Sequence, residues 1–201
     1  MINLDILNLP KIIAVSKTFK IDKILPLIDH GHTDFGENKI QEAVDKWTEI
    51  KSNNSNIKLH MIGKLQTNKV KFAVKLFDYI HSVDSQKLAK KIADEQKKIN
   101  KRIKIFIQVN IGNEQQKSGI NKTELRDLVL YCKKINLNVI GLMCIPPANE
   151  DSSTYFKEIK LLNDSFDFTE LSMGMSSDFV EASKNSATYL RIGSSILGER
   201  L

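Results

Sequence analysis

Lys17 is the first residue in the chain whose type and position suggest chemistry. It follows a short apolar, β-branched run at residues 12–15, which is typical of a strand. A lysine at the carboxyl end of such a strand points its amine into the mouth of an α/β barrel, where the walls exclude water. Desolvation disfavours the ammonium and yields a nucleophilic amine, as a Schiff base requires. The alternative is one more surface lysine.

Two turns of small residues could bind a phosphate group. The Ser-Ser-Asp sequence at 176–178 precedes a helical segment, and hydroxyls with free backbone N–H groups at a helix N-terminus form an anion site. The Gly-Ser-Ser sequence at 193–195 lies at the next strand end, where glycine lets backbone amides approach a ligand. Loops after the seventh and eighth strands are the usual phosphate site of (β/α)8 barrels. Simple helix capping is the alternative for the first turn.

Arg191 and two histidines lie inside apolar runs. A buried arginine needs a partner because an unpaired charge is costly to bury. Arg191 therefore either donates to a ring nitrogen or phosphate of a ligand, pairs with an inward carboxylate, or faces outward. His60 and His81 have no further ligand at metal spacing, which favours core or wall histidines and predicts no metal site. Neither a dinucleotide fingerprint nor a P-loop is present.

Eight short apolar runs predict the strands that position these side chains; they are residues 12–15, 33–36, 59–63, 79–83, 105–109, 139–145, 170–174 and 189–193. Amphipathic helical stripes separate several of them, at residues 40–50, 70–77, 88–99, 125–135 and 156–166. Asp84 and Asn121 stand where N-caps are expected. Strand–helix alternation implies parallel pairing, and eight units predict a single α/β domain over residues 1–201, a closed (β/α)8 barrel of the TIM type. An open doubly wound sheet is the alternative.

The composition predicts a globular protein. Hydrophobic residues make up 41% and charged residues 27% of the 201 residues, and no apolar run approaches the roughly 20 residues of a membrane span. The start lacks the blocks of a signal peptide, so a cytoplasmic location and no membrane partner are expected. The net charge of +6 could indicate nucleic acid, but acidic residues interrupt the lysine cluster at 90–104, and no nucleic-acid partner is expected. Cys132 and Cys144 are predicted to be buried thiols.

Several motifs in the same order and spacing resemble the pyridoxal-phosphate homeostasis protein family. They are AVSKT (14–18), FGEN (35–38) with QEA (41–43), HMIGKLQTNK (60–69), VNIGNEQQKSG (109–119), GLM (141–143), LSMGMSSDFVEA (171–182) and RIGSSILGER (191–200). The resemblance runs from about residue 10 to residue 201. It implies the barrel fold of the N-terminal domains of alanine racemases and eukaryotic-type ornithine decarboxylases.

The resemblance also implies a cofactor, pyridoxal 5′-phosphate (PLP), and assigns a role to each candidate residue. The implied roles are a Schiff base with PLP on Lys17, phosphate binding by Ser176, Ser177, Gly193 and Ser194, a contact of Arg191 with the pyridine nitrogen, and pocket lining by Asn38 and Met143. No catalytic residue is implied. Family members usually carry an additional N-terminal helix, which this chain is expected to lack, and Leu59 and Met61 stand where aromatic residues are common.

An arginine beside the pyridine nitrogen favours cofactor handling over catalysis. Arginine stays charged and cannot give the ring a full proton, so PLP is a weaker electron sink there than beside an acidic residue. Racemases with this arrangement add a second base from a C-terminal domain, whereas this chain ends at Leu201. We therefore expect a PLP carrier in vitamin B6 homeostasis without a dedicated amino-acid-converting activity.

The expected partners are PLP and related B6 vitamers, with PLP-dependent apo-enzymes as a further class, and the expected state is a monomer or weak homodimer. Two alternatives remain at this point. One is a weak racemase- or decarboxylase-like enzyme that takes its second base from a partner. The other is an anion- or nucleic-acid-binding barrel in which Lys17 is incidental.

Overall fold

The computed structural model describes residues 9–198. Its strands form one closed barrel in chain order, in which neighbouring strands are parallel and the last strand pairs with the first. The strands are β1 (Lys11–Val15), β2 (Asp34–Glu37), β3 (Lys58–Met61), β4 (Tyr79–Val83), β5 (Lys104–Val109), β6 (Val139–Cys144), β7 (Glu170–Ser172) and β8 (Tyr189–Ile192). The predicted (β/α)8 barrel is confirmed, and the open doubly wound sheet is excluded because β8 hydrogen-bonds to β1.

A helix follows each strand on the outside of the barrel. The helices are α1 (Ile21–Asp29), α2 (Ile40–Asn53), α3 (Val70–Leu76), α4 (Gln86–Lys98), α5 (Leu125–Lys134), α6 (Ser152–Asp164), α7 (Phe179–Lys184) and α8 (Ser194–Leu197). The five predicted apolar stripes fall on α2 to α6 and supply their buried faces, except that Ile99 follows α4 and is exposed. Short 3-10 helices, Thr67–Lys69 and Lys122–Glu124, lead into α3 and α5.

Helix α1 was not predicted from the sequence, because Pro26 lies inside it. Proline lacks the backbone N–H of the helical hydrogen-bond pattern and usually marks a helix boundary. The helix forms because Ile24 is fully buried against the barrel, and this burial outweighs the lost hydrogen bond.

The two N-cap predictions have different outcomes. Asn121 caps the 3-10 helix before α5, and its side chain accepts a hydrogen bond from Thr123 N. At α4 the cap is Ser85 instead of Asp84, because Ser85 has the extended backbone of a cap and its Oγ accepts from Leu88 N. The prediction for Asp84 was therefore wrong by one residue.

Two hydrophobic clusters fill the molecule, as alternating strand residues require. The larger cluster packs the outward-facing strand residues against the helices. The smaller cluster fills the barrel interior and consists of Ile13, Tyr79, Phe106, Met143 and Tyr189. Cys132 and Cys144 are both buried as free thiols, as expected.

Within residues 9–198, no helix is both long and apolar enough to cross a lipid bilayer. The expected lack of an N-terminal helix concerns residues 1–8, which lie outside the described residues, as do residues 199 and 200 at the end of the last motif. The described part of the eighth helix is the single turn α8.

Candidate functional site

A cavity of about 380 Å³ opens at the carboxyl ends of the strands, within the range of about 300–1,000 Å³ for ligand pockets. Its described lining residues are Val15, Lys17, Asn38, Ile62, Ile145, Met175, Ser176, Ser177, Arg191, Gly193 and Ser194. Seven of the eight residues expected at the site therefore line one cavity. They come from the ends of β1, β2, β7 and β8, which are remote in the chain and neighbours in the barrel.

Met143, the eighth expected residue, does not line the described cavity. It is fully buried in the interior cluster of the barrel. Side chains along one strand alternate between the two faces, so residues 143 and 145 share the inner face at successive layers. Ile145 therefore lines the cavity in place of Met143. Met143 lies one layer deeper in the barrel interior than expected.

Lys17 is held at the cavity by the backbone of the preceding residue. Ser16 N donates to Gly36 O at 3.0 Å, which extends the pairing of β1 with β2. Lys46 Nζ, from α2, donates to Ser16 O at 2.8 Å. Lys17 itself is half-buried and lines the cavity with the two serine turns. The amine and the candidate phosphate site thus share one opening.

Beneath this rim, the buried carboxylate of Glu37 joins β1, β2 and α2. Its Oε1 accepts from Ser16 Oγ at 2.8 Å, Lys46 Nζ at 2.9 Å and Trp47 Nε1 at 2.9 Å. Glu37 and Trp47 are both fully buried. Glu37 is not among the site residues predicted from the sequence. A carboxylate at the end of a predicted strand, followed by a lysine and a tryptophan on the next helix, could have indicated this cluster.

The Ser-Ser turn depends on Gly174 just before it. Gly174 has a φ of +86°, a left-handed conformation that favours glycine. A Cβ on this residue would lie 2.5 Å from Ala182 Cβ. The turn then continues with Met175 N donating to Asp178 Oδ1 at 2.6 Å, and Gly193 N donates to Ser176 Oγ at 3.4 Å. The two small-residue turns are therefore in direct contact.

Arg191 lies inside the barrel, and the surface position considered from the sequence is excluded. Its Nη1 donates to Ser172 Oγ at 2.7 Å and its Nη2 donates to Cys144 O at 2.8 Å. Burial lowers the pKa of Arg191 from its usual value, while Cys144 and Asp178 act in the opposite direction. Among residues 9–198, no carboxylate forms a salt bridge with this guanidinium.

His60 and His81 are both fully buried inside the barrel, as the core interpretation predicted. Burial is the main cause that lowers the pKa of each ring, and for His81 the lowering is large. In the part of the chain that the structure describes, no group of three His, Cys, Asp or Glu residues could hold a metal ion.

The donors in the cavity fit an anionic, ring-containing ligand. Three serine hydroxyls and the amine of Lys17 face the cavity with Arg191, and none of its described lining residues carries a carboxylate. This donor set suits a phosphate at the serine turns, a carbonyl at the lysine and an acceptor nitrogen at the arginine. PLP carries all three groups, so the residues present fit this cofactor.

Comparison with known proteins decides the family. The family model described as alanine racemase, N-terminal domain, matches residues 5–200. A pyridoxal phosphate homeostasis protein of Pasteurella multocida is 34% identical, over 94% of this chain and 86% of that protein. One of Aquifex aeolicus is 36% identical, over 96% and 88%. The chain belongs to the pyridoxal phosphate homeostasis protein family.

A solved structure supports the same assignment. PipY of Synechococcus elongatus PCC7942, with PLP bound, is 32% identical to this chain and superposes with a TM-score of 0.87, over 94% of this chain and 92% of that one. The pyridoxal phosphate homeostasis protein family and the alanine racemase N-terminal domain thus share the closed barrel described above.

Proposed function

We propose that this protein binds PLP in the cavity at the carboxyl ends of its strands and serves PLP homeostasis. The observation that carries the proposal is the cavity itself, in which Lys17, the buried Arg191 and the two serine turns face one space. The names of the relatives and the PLP in the PipY structure support the identity of the ligand.

Seven of the described lining residues have a task in this proposal. Lys17 holds PLP covalently as a Schiff base through its amine. Arg191 donates a hydrogen bond to the ring nitrogen and, as a permanent cation, does not protonate it. The phosphate is held by the hydroxyls and backbone N–H groups of Ser176, Ser177, Gly193 and Ser194, and Asn38 lines the pocket. When bound, PLP supplies an aldehyde for amines and a ring that withdraws electrons.

We further propose a carrier without a dedicated amino-acid-converting activity. Amino-acid conversion on PLP needs groups that move a proton at the substrate. Among the described residues that line the cavity, Lys17 is the one whose side chain is suited to this role, and a second base such as racemases add is not among them. Arg191 supports the proposal further, because a ring nitrogen that stays neutral weakens electron withdrawal.

Titration of the purified full chain with PLP tests the proposal directly. We expect a yellow protein with a visible absorbance band that saturates at one PLP per chain and survives gel filtration. Holo-protein incubated with mixed amino acids in deuterated water should leave their α-protons unexchanged. A protein that stays colourless with excess PLP would contradict the binding proposal, and rapid α-proton exchange would contradict the carrier proposal.

Ser176→Ala tests the phosphate site. The variant loses a hydroxyl that donates to a charged oxygen, an interaction worth about 1.5–3 kcal/mol, so PLP affinity should fall about 10- to 150-fold. Pyridoxal, which lacks the phosphate, should bind the variant and the wild type equally well. Absorbance titrations with both compounds measure the difference.

Ser195→Ala is the matched control for Ser176→Ala. Ser195 is an exposed serine beside Ser194, and it does not line the described cavity. Its PLP affinity should equal that of the wild type. Equal losses for PLP and pyridoxal in Ser176→Ala would place the phosphate elsewhere.

The remaining expectations from the sequence stay part of the proposal. They are a cytoplasmic location, a single domain over residues 1–201, a monomer or weak homodimer, and PLP-dependent apo-enzymes as recipients. The closed barrel over the described residues supports the single domain. Transfer of PLP from the holo-protein to an apo-enzyme, followed by recovery of that enzyme's activity, would test the last of them.

A further inference from the structure

A line of buried hydrogen bonds crosses the barrel interior and ends at Arg191. Asp34 Oδ1 lies 3.0 Å from His60 Nε2, and His60 Nδ1 lies 3.0 Å from His81 Nε2. His81 Nδ1 lies 2.9 Å from Ser172 Oγ, which accepts from Arg191 Nη1 at 2.7 Å. We call these five residues the relay. They come from β2, β3, β4, β7 and β8.

Most of the relay residues are shielded from water. His60, His81 and Ser172 have no exposed surface, and Arg191 is buried. The His60 ring stacks on Tyr79 at 4.2 Å between centroids, and the His81 ring stacks on Phe106 at the same distance. These contacts hold both rings in place, so the hydrogen bonds have one geometry.

Chemistry fixes the direction of every hydrogen bond in the relay. Arginine only donates and an ionised carboxylate only accepts. With both histidines neutral, one arrangement satisfies all of them: Ser172 donates to His81 Nδ1, His81 Nε2 donates to His60 Nδ1, and His60 Nε2 donates to Asp34. Each imidazole therefore carries its proton on Nε2.

The surroundings of His60, His81 and Asp34 account for their charge states. Burial lowers the pKa of both histidines, which keeps them neutral near pH 7. For Asp34, burial raises the pKa, whereas hydrogen bonds from His60 and Thr33 and electrostatic interactions with His60 and Lys11 lower it, and the net pKa is lowered. Thr33 Oγ1 donates to the second carboxylate oxygen, Asp34 Oδ2, at 2.6 Å. The carboxylate therefore stays ionised.

The relay connects a negative charge at one side of the barrel with a positive charge at the cavity. Hydrogen bonds in such a line polarise one another, and the effect is stronger in a low-dielectric interior than in water. Asp178 also acts electrostatically on Arg191, and Lys11 and Asp78 act on His60, so the relay is one of several influences. Cys144 O accepts directly from Arg191 Nη2 at 2.8 Å, and the relay is the influence that reaches Arg191 Nη1 through direct hydrogen bonds.

We propose that Asp34, His60, His81 and Ser172 are positioning residues that fix the Arg191 guanidinium for its contact with a ring nitrogen in the cavity. The relay also makes the histidines sensitive to what Arg191 contacts. The proposal rests on the proposed PLP function for the identity of the ligand, while the order of protons in the relay does not depend on it. A purely structural role, in which buried polar groups merely satisfy one another, predicts no such sensitivity.

The first test uses the full chain without PLP, labelled with ¹⁵N in its histidine rings. We expect NMR to show His60 and His81 neutral near pH 7, both with the proton on Nε2. A protonated ring, or a proton on Nδ1 of either histidine, would overturn the relay. This measurement is made on the wild type, so no variant needs to fold.

The second test adds PLP to the labelled protein and to Ser172 variants. In the wild type, PLP should shift the ring ¹⁵N resonances of His81. Ser172→Ala, which cuts the relay next to Arg191, should abolish this shift and weaken PLP binding about tenfold. Ser172→Thr keeps the hydroxyl and should restore both. An unchanged response in Ser172→Ala would contradict the proposal.

Ser82→Ala is the matched control. Ser82 is a buried serine on β4 next to His81, and among the described residues its Oγ has no hydrogen-bond partner. Removing this hydroxyl should leave the histidine resonances and PLP affinity unchanged. A wild type that does not bind PLP would overturn the proposed function and the role of Arg191 towards PLP, and the ligand-free measurement would still decide whether the relay exists.

Discussion

Replacing Lys17 with alanine is expected to abolish covalent attachment of PLP completely. The wild type, loaded with PLP and reduced with borohydride, should yield a peptide in which residue 17 carries the cofactor mass. Lys17→Ala should yield no modified peptide and no visible absorbance band, because no other amine among the described residues lines the cavity. Peptide mass spectrometry and absorbance spectra provide the two measurements.

Lys20→Ala serves as the control for this experiment. Lys20 is an exposed lysine in the same loop, three residues beyond Lys17, and it is absent from the described cavity lining. Its labelling should match that of the wild type. If Lys17→Ala retained the band, or if the label appeared on another lysine, the assignment of the cofactor to this cavity would be wrong.

The second large effect is expected for stability, from Glu37→Ala. This change removes the fully buried carboxylate that pairs with Lys46 and accepts from Ser16 and Trp47. Removing one partner of a buried ion pair costs about 3–5 kcal/mol of unfolding free energy. We expect the lower end of this range, about 3 kcal/mol, because Lys46 keeps its contacts with Glu42 and Ser16 O. Urea unfolding followed by circular dichroism should show a lower midpoint with an unchanged slope. A single transition is expected if residues 1–201 form one domain.

Glu42→Ala separates the contribution of the buried Glu37–Lys46 pair from that of the partly exposed Glu42. Glu42 also contacts Lys46, at 3.0 Å, but its side chain is a quarter exposed. Its loss should cost about 1 kcal/mol. The double variant Glu37→Gln with Lys46→Met removes both buried charges and should recover part of the stability lost in Glu37→Ala. Equal losses of unfolding free energy in Glu37→Ala and Glu42→Ala would show that burial does not determine how much the Glu37–Lys46 pair contributes to stability.

The barrel could be predicted from the sequence because its pattern is local. Each strand reads as a short apolar run and each of the helices α2 to α6 as a stripe with helical spacing. Helix α1 also carries apolar residues at helical spacing, Ile21, Ile24 and Ile28, which pack against the core. It was missed because Pro26 lies inside it, and proline usually marks a helix boundary.

The polar half of the site was predictable for a similar reason. Lys17, the serine turns and Arg191 stand at or near strand ends, where a barrel brings side chains together. The depth of a residue along its strand was not predictable. An error of two residues moved the expected lining from Ile145 to Met143, because the sequence does not state how far the interior packing extends.

The relay could not be predicted from the sequence. His60 and His81 were correctly expected in the core, but their partners lie on other strands. His81 meets Ser172, 91 residues away in the chain, across the inside of the barrel. Such a pairing depends on strand register and barrel closure, which are properties of the assembled sheet.

The position of Trp47 gives this protein a built-in optical probe. It is the sole tryptophan of the chain, it is fully buried, and it donates to the carboxylate below the Lys17 loop. Its fluorescence emission therefore reports from a single, known location between β2 and α2. Entry of solvent between β2 and α2 is expected to move the emission maximum of Trp47 to longer wavelength, so an opening at this position can be followed without an added label.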